Sequence, residues 1–390
     1  MREPILGYAT NCYAGESAAE LAAAVRTEVA AVRKHLPAGE PLNLSLRISA
    51  RAAREFGAGP HLLEELRTAL GEAGAAIVSA NAFPISAPRK GIYKDGIYSP
   101  DWTSPHRLES TLQIARAVAA LLPEGAKAVL TTLTGTYRGW GCASCSEEAE
   151  ADCARHLVKC AKQLDDLSRQ TGRELVLALE PEPFTTAESL AGTVDFFRRR
   201  LFHGPQEAVA RRRLAVNLDL CHAAVMFEDA AENLRAYARE GIPVAGLHVS
   251  AALRLDDPGR NGAGLAALRS FDEPVYLHQV SATDESRRLL FRWSDLGEFL
   301  ALSRERLEGF SEARIHFHVP IFAETVGGLS TTAGLIAPAL AEAMAGGHTD
   351  LFVIETYTWK LLEGTPGAAA TTAEGIAREL TAARGMIEGG

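Results

Sequence analysis

Leu175-Val-Leu-Ala-Leu-Glu180 and Leu214-Ala-Val-Asn-Leu-Asp219-Leu-Cys-His222 each read as a short buried strand that closes on a charged or ionisable side chain. Runs of this length and apolarity suit strands covered on both faces. A carboxylate at the end of such a run is costly to desolvate unless it is paired or bound to a cation. The pattern recurs downstream. Val244-Ala-Gly-Leu-His248, Arg314-Ile-His316-Phe-His318 and Leu351-Phe-Val-Ile-Glu355 end in imidazoles or a carboxylate. Working outward, further strand runs are expected at Ile5–Asn11, Leu42–Ile48, Ala75–Phe83 and Ala126–Leu133. Ala- and Leu-rich helical segments separate them, among them Ser17–His35, His61–Ala73, Arg107–Leu122, Glu147–Gln170, Ala187–Leu201 and Asp229–Glu240. Strand–helix alternation predicts a parallel sheet with helices outside it. Repeated about eight times over 390 residues, it predicts an α/β chain folded as a closed (β/α)8 barrel.

Nine runs are one more than such a barrel needs. Either the first is a plug or bottom strand, or one of those after Val249 belongs to an insertion. The chain reads as one domain, 1–390, without internal repeat or interdomain linker. Residues 251–312 hold Pro258-Gly259, Asn261-Gly262 and Asp272-Glu273-Pro274 and read as an irregular insertion at the top of the barrel. A second long loop, 84–105, is rich in Tyr, Lys, Pro, Gly and Asp and reads as a lid.

Bulk properties exclude some functions. The formal net charge is −9, with 47% hydrophobic and 23% charged residues. That describes a folded chain that repels phosphate backbones, so a nucleic-acid partner is not expected. No signal segment or stretch of membrane-spanning length is visible, and the cytoplasm is the expected compartment. Reduced cysteines follow from that. Cys142-Ala-Ser-Cys145 resembles half a zinc motif, but the chain lacks a second closely spaced pair; Cys153 and Cys160 share one helix face.

The strand-end residues carry the chemistry. A barrel points all its strand C-termini at one mouth, so Glu180, Asp219, His222, His248, His316, His318 and Glu355 should converge there. Carboxylates with imidazoles suit Mn²⁺, Zn²⁺, Fe²⁺ or Co²⁺, one ion or more, better than Ca²⁺. His316 and His318 have strand period and should face one side. Glu182, two residues past Glu180, is an equal alternative as ligand. Cys221 is expected to point away if Asp219 points inward.

Glu at one strand end, Asp-x-x-His at the next, His at the next and Glu on the last resembles the xylose-isomerase-like TIM barrels, which include sugar isomerases, ketose 3-epimerases and apurinic endonucleases. The resemblance implies Glu180, Asp219, His248 and Glu355 as metal ligands, with His222 contacting substrate or a second metal. His248-Val-Ser-Ala-Ala-Leu-Arg254, followed by Pro258-Gly259, implies Arg254 as a substrate contact. Tyr98-Ser-Pro-Asp-Trp-Thr103, Tyr276-Leu-His-Gln279, His316-Phe-His-Val-Pro-Ile-Phe322 and Glu355-Thr-Tyr-Thr-Trp359 further resemble the E-type proteins of Ebo clusters (EboE-like), described as metabolite-traffic proteins. The added histidines leave two alternatives open: His318 could replace His248 as the seventh-strand ligand, and His278 could be an extra ligand or acid–base group.

The resemblance implies a metal-dependent isomerase or epimerase acting on a sugar- or cyclitol-like metabolite in a secondary-metabolite pathway. Glu180 and Glu355 would move the C–H proton beside the metal, and His222 or His278 the hydroxyl proton. Arg89, Lys90, Tyr93, Lys94, Tyr98, Asp101 and Trp102 of the lid, His316, and Trp140 from the loop after the fourth strand run are candidate substrate contacts. Competing readings are a metal-dependent phosphoester hydrolase, a non-haem iron oxygenase and a non-catalytic metabolite-binding barrel. The expected partner is a small-molecule substrate, and a homo-oligomer is compatible with the sequence.

Overall fold

A computed structural model describes residues 3–13, 15–83, 94–141, 146–287 and 290–389. In chain order its strands are β1 (Ile5–Ala9), β2 (Leu42–Arg47), β3 (Ala75–Asn81), β4 (Lys127–Leu133), β5 (Glu174–Glu180), β6 (Leu214–Asp219), β7 (Val244–Val249), β8 (Ala251–Asp256), β9 (Val280–Thr283), β10 (Leu290–Trp293), β11 (Glu312–Val319), β12 (Thr325–Val326), β13 (Leu329–Thr331) and β14 (Leu351–Ile354). β1 to β7 and β14 close into a barrel in the order β1-β14-β7-β6-β5-β4-β3-β2. Every neighbouring pair in it is parallel. The first run is therefore a barrel strand, and the surplus run is Arg314–Val319, which lies in β11 of a second sheet.

Facing follows residue parity. Leu175, Leu177 and Leu179 of β5 pack outward into the main core shared with the helices. Val176 and Ala178 point inward and meet Ala9, Val129, Ala215, Ala245, Leu351 and Val353 in a separate interior cluster. Small and β-branched side chains fill the narrow barrel, while leucines fill the wider gap to the helices. Gly7 on β1 is needed by the same crowding, because a Cβ there would stand 2.8 Å from the Asn43 carbonyl oxygen. The outer helices start on serine caps at Ser17, Ser49, Ser104, Ser146 and Ser189, each accepting a backbone N–H. On the helix Glu147–Thr171, Cys153 and Cys160 lie on the buried face with Leu157 and Leu164. Both are free thiols packed as core residues. Cys142 and Cys145 lie outside the described residues, as do Arg89, Lys90 and Tyr93 of the loop 84–105.

Residues read as an irregular excursion hold regular structure. β8 to β13 form a six-stranded antiparallel sheet in the order β10-β9-β11-β8-β13-β12. The longest of these strands, β11, is bulged where it matters: Ile315 pairs with Leu253, but Val319 pairs with Ala251. Three residues, Phe317 and the two histidines around it, span a gap that one residue of β8 spans. Such a bulge re-aims side chains out of the ladder, and here it turns His316 and His318 toward the barrel mouth.

Candidate metal centre

The parity that buries Val176 and Ala178 continues to Glu180 at the end of β5. Ala215 and Asn217 are likewise followed inward by Asp219, the last residue of β6, and Leu351 and Val353 by Glu355, just past β14. His248 comes from β7. Ligand atoms of Glu180, Asp219, His248 and Glu355 all lie within 4.8 Å of one another, and all four residues are buried. His248 Nδ1 is 3.0 Å from Glu180 Oε1, 2.9 Å from Glu355 Oε2 and 3.8 Å from Asp219 Oδ2.

One imidazole N–H cannot serve three carboxylates. Asp219 Oδ2 and His248 Nε2 have no hydrogen-bond partner among the described residues, although both are buried. A cation relieves buried carboxylates so placed, and the donor set of three carboxylates and one imidazole fits a divalent metal held by mixed O and N ligands. Electrostatics agree. Burial, with the Glu355 charge adding to it, raises the Glu180 carboxyl to about 7 even against the pull of His248. Burial would lower His248, but Glu180 and Glu355 outweigh it and hold the imidazolium well above the usual histidine value. Burial would also raise Asp219, yet His222, His318 and His248 together hold it down to about 2.

Neutral groups orient the ligands. Asn11 Nδ2 donates to Glu355 Oε1 at 2.9 Å, Ser250 Oγ donates to Asp219 Oδ1 at 2.9 Å, and Asn217 Nδ2 donates to Glu180 Oε2 at 3.4 Å. The sequence reading missed these three, although Asn11 closes the first strand run and Ser250 follows His248 by two residues.

Beside the quartet, His222 from the helix Leu220–Val225 meets His316 and His318 of β11. His222 Nε2 is 3.1 Å from His316 Nε2, which is 3.3 Å from His318 Nε2. Burial and the neighbouring imidazoles push His316 well below the usual histidine value. Of the two histidines left open as the seventh-strand ligand, His248 lies in the seventh barrel strand among the quartet, and His318 lies on β11 of the second sheet, within 4.8 Å of Asp219 and His222. Glu182 does not join the quartet. It accepts from Tyr98 Oη and Gln279 Nε2, and burial raises its carboxyl. Cys221 does not point away: its sulfur lies within 4.8 Å of ring nitrogens of His316 and His318. The helix starts at Leu220, so strand alternation stops applying one residue earlier.

A cavity of about 290 Å³ opens over these groups, lined on the polar side by Glu180, His222, His316, His318 and Glu355. Tyr13, Phe83, Ile97, Tyr98, Tyr276 and Tyr357 form its apolar wall, and Lys94 stands on its rim, paired with Asp295 at 2.7 Å. Four other sequence candidates sit elsewhere. Trp102 is fully buried below the mouth and donates to Thr132 Oγ1 at 3.1 Å. Trp140 is 40% exposed and donates to Asp95 Oδ2 at 2.7 Å. Arg254 pairs with Asp256 at 2.8 Å and Glu312 at 3.6 Å on the insertion sheet. His278 is fully buried against Phe317, with Nδ1 2.9 Å from His316 O and Nε2 2.9 Å from Glu273 Oε1, so neither nitrogen is left for a metal.

A closed eight-stranded parallel barrel with helices between its strands is the fold of the xylose-isomerase-like TIM barrels. In particular, the chain superposes on a xylose isomerase-like TIM barrel protein from Mycobacterium smegmatis in complex with magnesium, with a TM-score of 0.53 and 13% identity, covering 99% of this chain and 100% of that one. A xylose isomerase domain protein from Alicyclobacillus acidocaldarius gives a TM-score of 0.48 and 14% identity, covering 99% of this chain and 98% of that one. The probable 3-DHS dehydratase AsbF of petrobactin synthesis from Bacillus anthracis gives 0.46 and 12%, covering 98% and 99%. At these identities the likeness speaks for the fold alone. No protein-family model and no curated protein matches the sequence.

Proposed function

We propose that the chain is a metal-dependent enzyme of the isomerase or epimerase kind, acting on a small hydroxy-carbonyl metabolite of sugar or cyclitol type. One observation carries the reading: Glu180, Asp219, His248 and Glu355 converge within 4.8 Å at the strand C-termini, and Glu180 and Glu355 line a 290 Å³ cavity. Glu180, Asp219, His248 and Glu355 would hold a divalent ion, whose positive charge would polarise a substrate carbonyl. The chain's own groups do the rest. Glu180 and Glu355 face the cavity and take or return a proton at the carbon beside the carbonyl. His222, whose Nδ1 is fixed 3.0 Å from Pro181 O, handles the hydroxyl proton. The apolar wall excludes water from the exchange. The resemblance of the Tyr98–Thr103, Tyr276–Gln279, His316–Phe322 and Glu355–Trp359 motifs to E-type proteins of Ebo clusters is what suggests a substrate from secondary metabolism.

The test is proton exchange. Metal-loaded protein incubated in D₂O with a panel of ketoses and keto-cyclitols should wash deuterium into the carbon beside the carbonyl, read by NMR. Glu180→Gln or Glu355→Gln should slow this by about 100-fold or more. No exchange across the panel, with phosphate released instead from sugar phosphates, would replace the proposal with the hydrolase reading. A second reading has its own observation: Asp219, His222 and His318 form a group of two histidines and one carboxylate within 4.8 Å. That ligand type serves non-haem Fe²⁺ oxygenases, and oxygen uptake by the Fe²⁺-loaded protein would favour it.

A further inference from the structure

The cavity is polar at the end made by Glu180, Glu355 and the histidines, and apolar along the wall made by Tyr13, Phe83, Ile97, Tyr98, Val275 and Leu277. The hydroxyls of that wall are spent elsewhere. Tyr13 Oη donates to Tyr8 Oη at 3.2 Å. Tyr98 Oη donates to Glu182 and accepts from Gln279 Nε2 at 2.8 Å, while Tyr137 covers one face of its ring at 4.5 Å. Other polar groups of the lining are engaged too. Arg47 pairs with Glu16 at 2.9 Å, Lys94 with Asp295 at 2.7 Å, and Asn81 Oδ1 accepts from Phe83 N at 3.1 Å. Lys360 is exposed. Tyr276 and Tyr357 belong to the polar end, since the Tyr357 ring is 4.7 Å from that of His318.

This wall is built in advance. Phe83, Ile97 and Leu277 are half-buried, each backed by the main core. The segments that carry Ile97 and Leu277 are clasped together: Lys94 N donates to Val275 O at 3.2 Å, and Lys94 Nζ donates to Glu273 O at 3.0 Å. The Glu273 carboxylate in turn accepts from Val275 N at 2.8 Å and Tyr276 N at 2.7 Å. Apolar surface held open in a fixed wall is stabilised by whatever apolar group covers it. A free sugar or cyclitol is a poor cover, because it carries hydroxyls on every side. An aromatic ring can stack on one sugar face, but Ile97, Val275 and Leu277 can neither stack nor hydrogen-bond, and hydroxyls pressed on them would lose their partners.

We infer that the substrate is amphipathic: a hydroxy-carbonyl head meets the carboxylates and imidazoles, and an aryl or alkyl substituent on it lies against the wall, with Ile97 and Leu277 setting the preference for that substituent. The inference names the substrate class of the proposed proton-transfer site and rests on that reading for the head alone. The cavity of about 290 Å³ is close to the lower bound of roughly 300 Å³ for sites that enclose drug-sized ligands, which suits a ring head with one further ring or short chain.

Two measurements on the full-length, Mn²⁺-loaded protein test it. Calorimetry with methyl, phenyl and n-hexyl β-D-glucopyranoside reads binding, and deuterium exchange with the 3-keto forms of the same three compounds reads turnover. The phenyl and hexyl compounds should bind about 10-fold or more tighter than the methyl one, and kcat/KM for exchange should rise in the same order. In Ile97→Thr/Leu277→Asn the preference should shrink to about 2-fold. Each preference is a ratio taken within one preparation, so a partly unfolded variant does not distort it. Apolar groups that improve neither binding nor exchange, or a preference that survives intact in the variant, would overturn the inference. Exchange with all three compounds at equal kcat/KM would do so while leaving the proton-transfer reading standing. A phenyl preference in binding that the variant abolishes, with exchange from none of the keto compounds, would remove that reading and keep the amphipathic substrate.

Discussion

Which way one side chain points decides most of this site, and Glu379 shows how far a residue can act from the mouth. It lies on the helix Thr372–Glu388, fully buried. Its carboxylate accepts from Ile321 N at 3.1 Å, Thr356 Oγ1 at 2.6 Å and Trp359 Nε1 at 2.8 Å, and so pins the chain just after His318 and just after Glu355. Burial raises this carboxyl from 4.5 to about 7 despite its three donors. Between those values the folded chain keeps a proton that the unfolded chain has released. Stability therefore falls as pH rises across that window and levels off above it. Glu379→Gln should remove this slope, so that urea unfolding from pH 4.5 to 8 shows the wild type losing roughly 3 kcal/mol relative to the variant. Parallel curves would refute it. At this scale the sequence was readable where parity rules. Glu180, Asp219 and Glu355 end strands whose facing is set by the residues before them. Trp102, Trp140 and Arg254 were not readable, because a loop's path or a pairing across the insertion sheet aims them, and neither leaves a local pattern.

Barrel strands and their helices follow from periodicity, and the run boundaries fall within a few residues of the observed strands. The insertion did not yield to the same reading. β9, β10, β12 and β13 are too short for a pattern to stand out from loop; β9–β10 and β12–β13 are local antiparallel pairs, and only β11 with β9 and β8, and β13 with β8, join them across longer stretches of chain. The β11 bulge that aims His316 and His318 exists only against β8. Packing between elements makes its own prediction. The Trp359 ring packs against the helix Thr372–Glu388 where Gly375 leaves room, and a Cβ there would stand 2.3 Å from the ring. Gly375→Ala should therefore cost about 1–3 kcal/mol by overpacking, read by urea denaturation. An unchanged midpoint would show that the helix can shift away without loss.

Taken whole, the molecule gathers three buried carboxylates around one imidazole at the barrel mouth, an arrangement that a bound cation relieves. Ligand linkage then predicts that Mn²⁺ or Zn²⁺ at 100 times its dissociation constant adds about 2.7 kcal/mol to stability, raising the melting temperature, and that chelator reverses it. Glu180→Gln/Glu355→Gln should blunt the gain from Mn²⁺; an equal gain in the variant would place the ion elsewhere. The groups at the mouth also divide by origin. Glu180, Asp219, His248 and Glu355 sit on or directly after barrel strands, whereas His316, His318 and the wall residues Tyr276 and Leu277 come from the stretch between β7 and β14. That stretch leaves and rejoins the barrel at adjacent staves, since β7 and β14 are neighbours. Its strands can therefore vary in length and sequence without changing the order of the barrel staves, while the acid-lined socket keeps its carboxylates on the barrel itself.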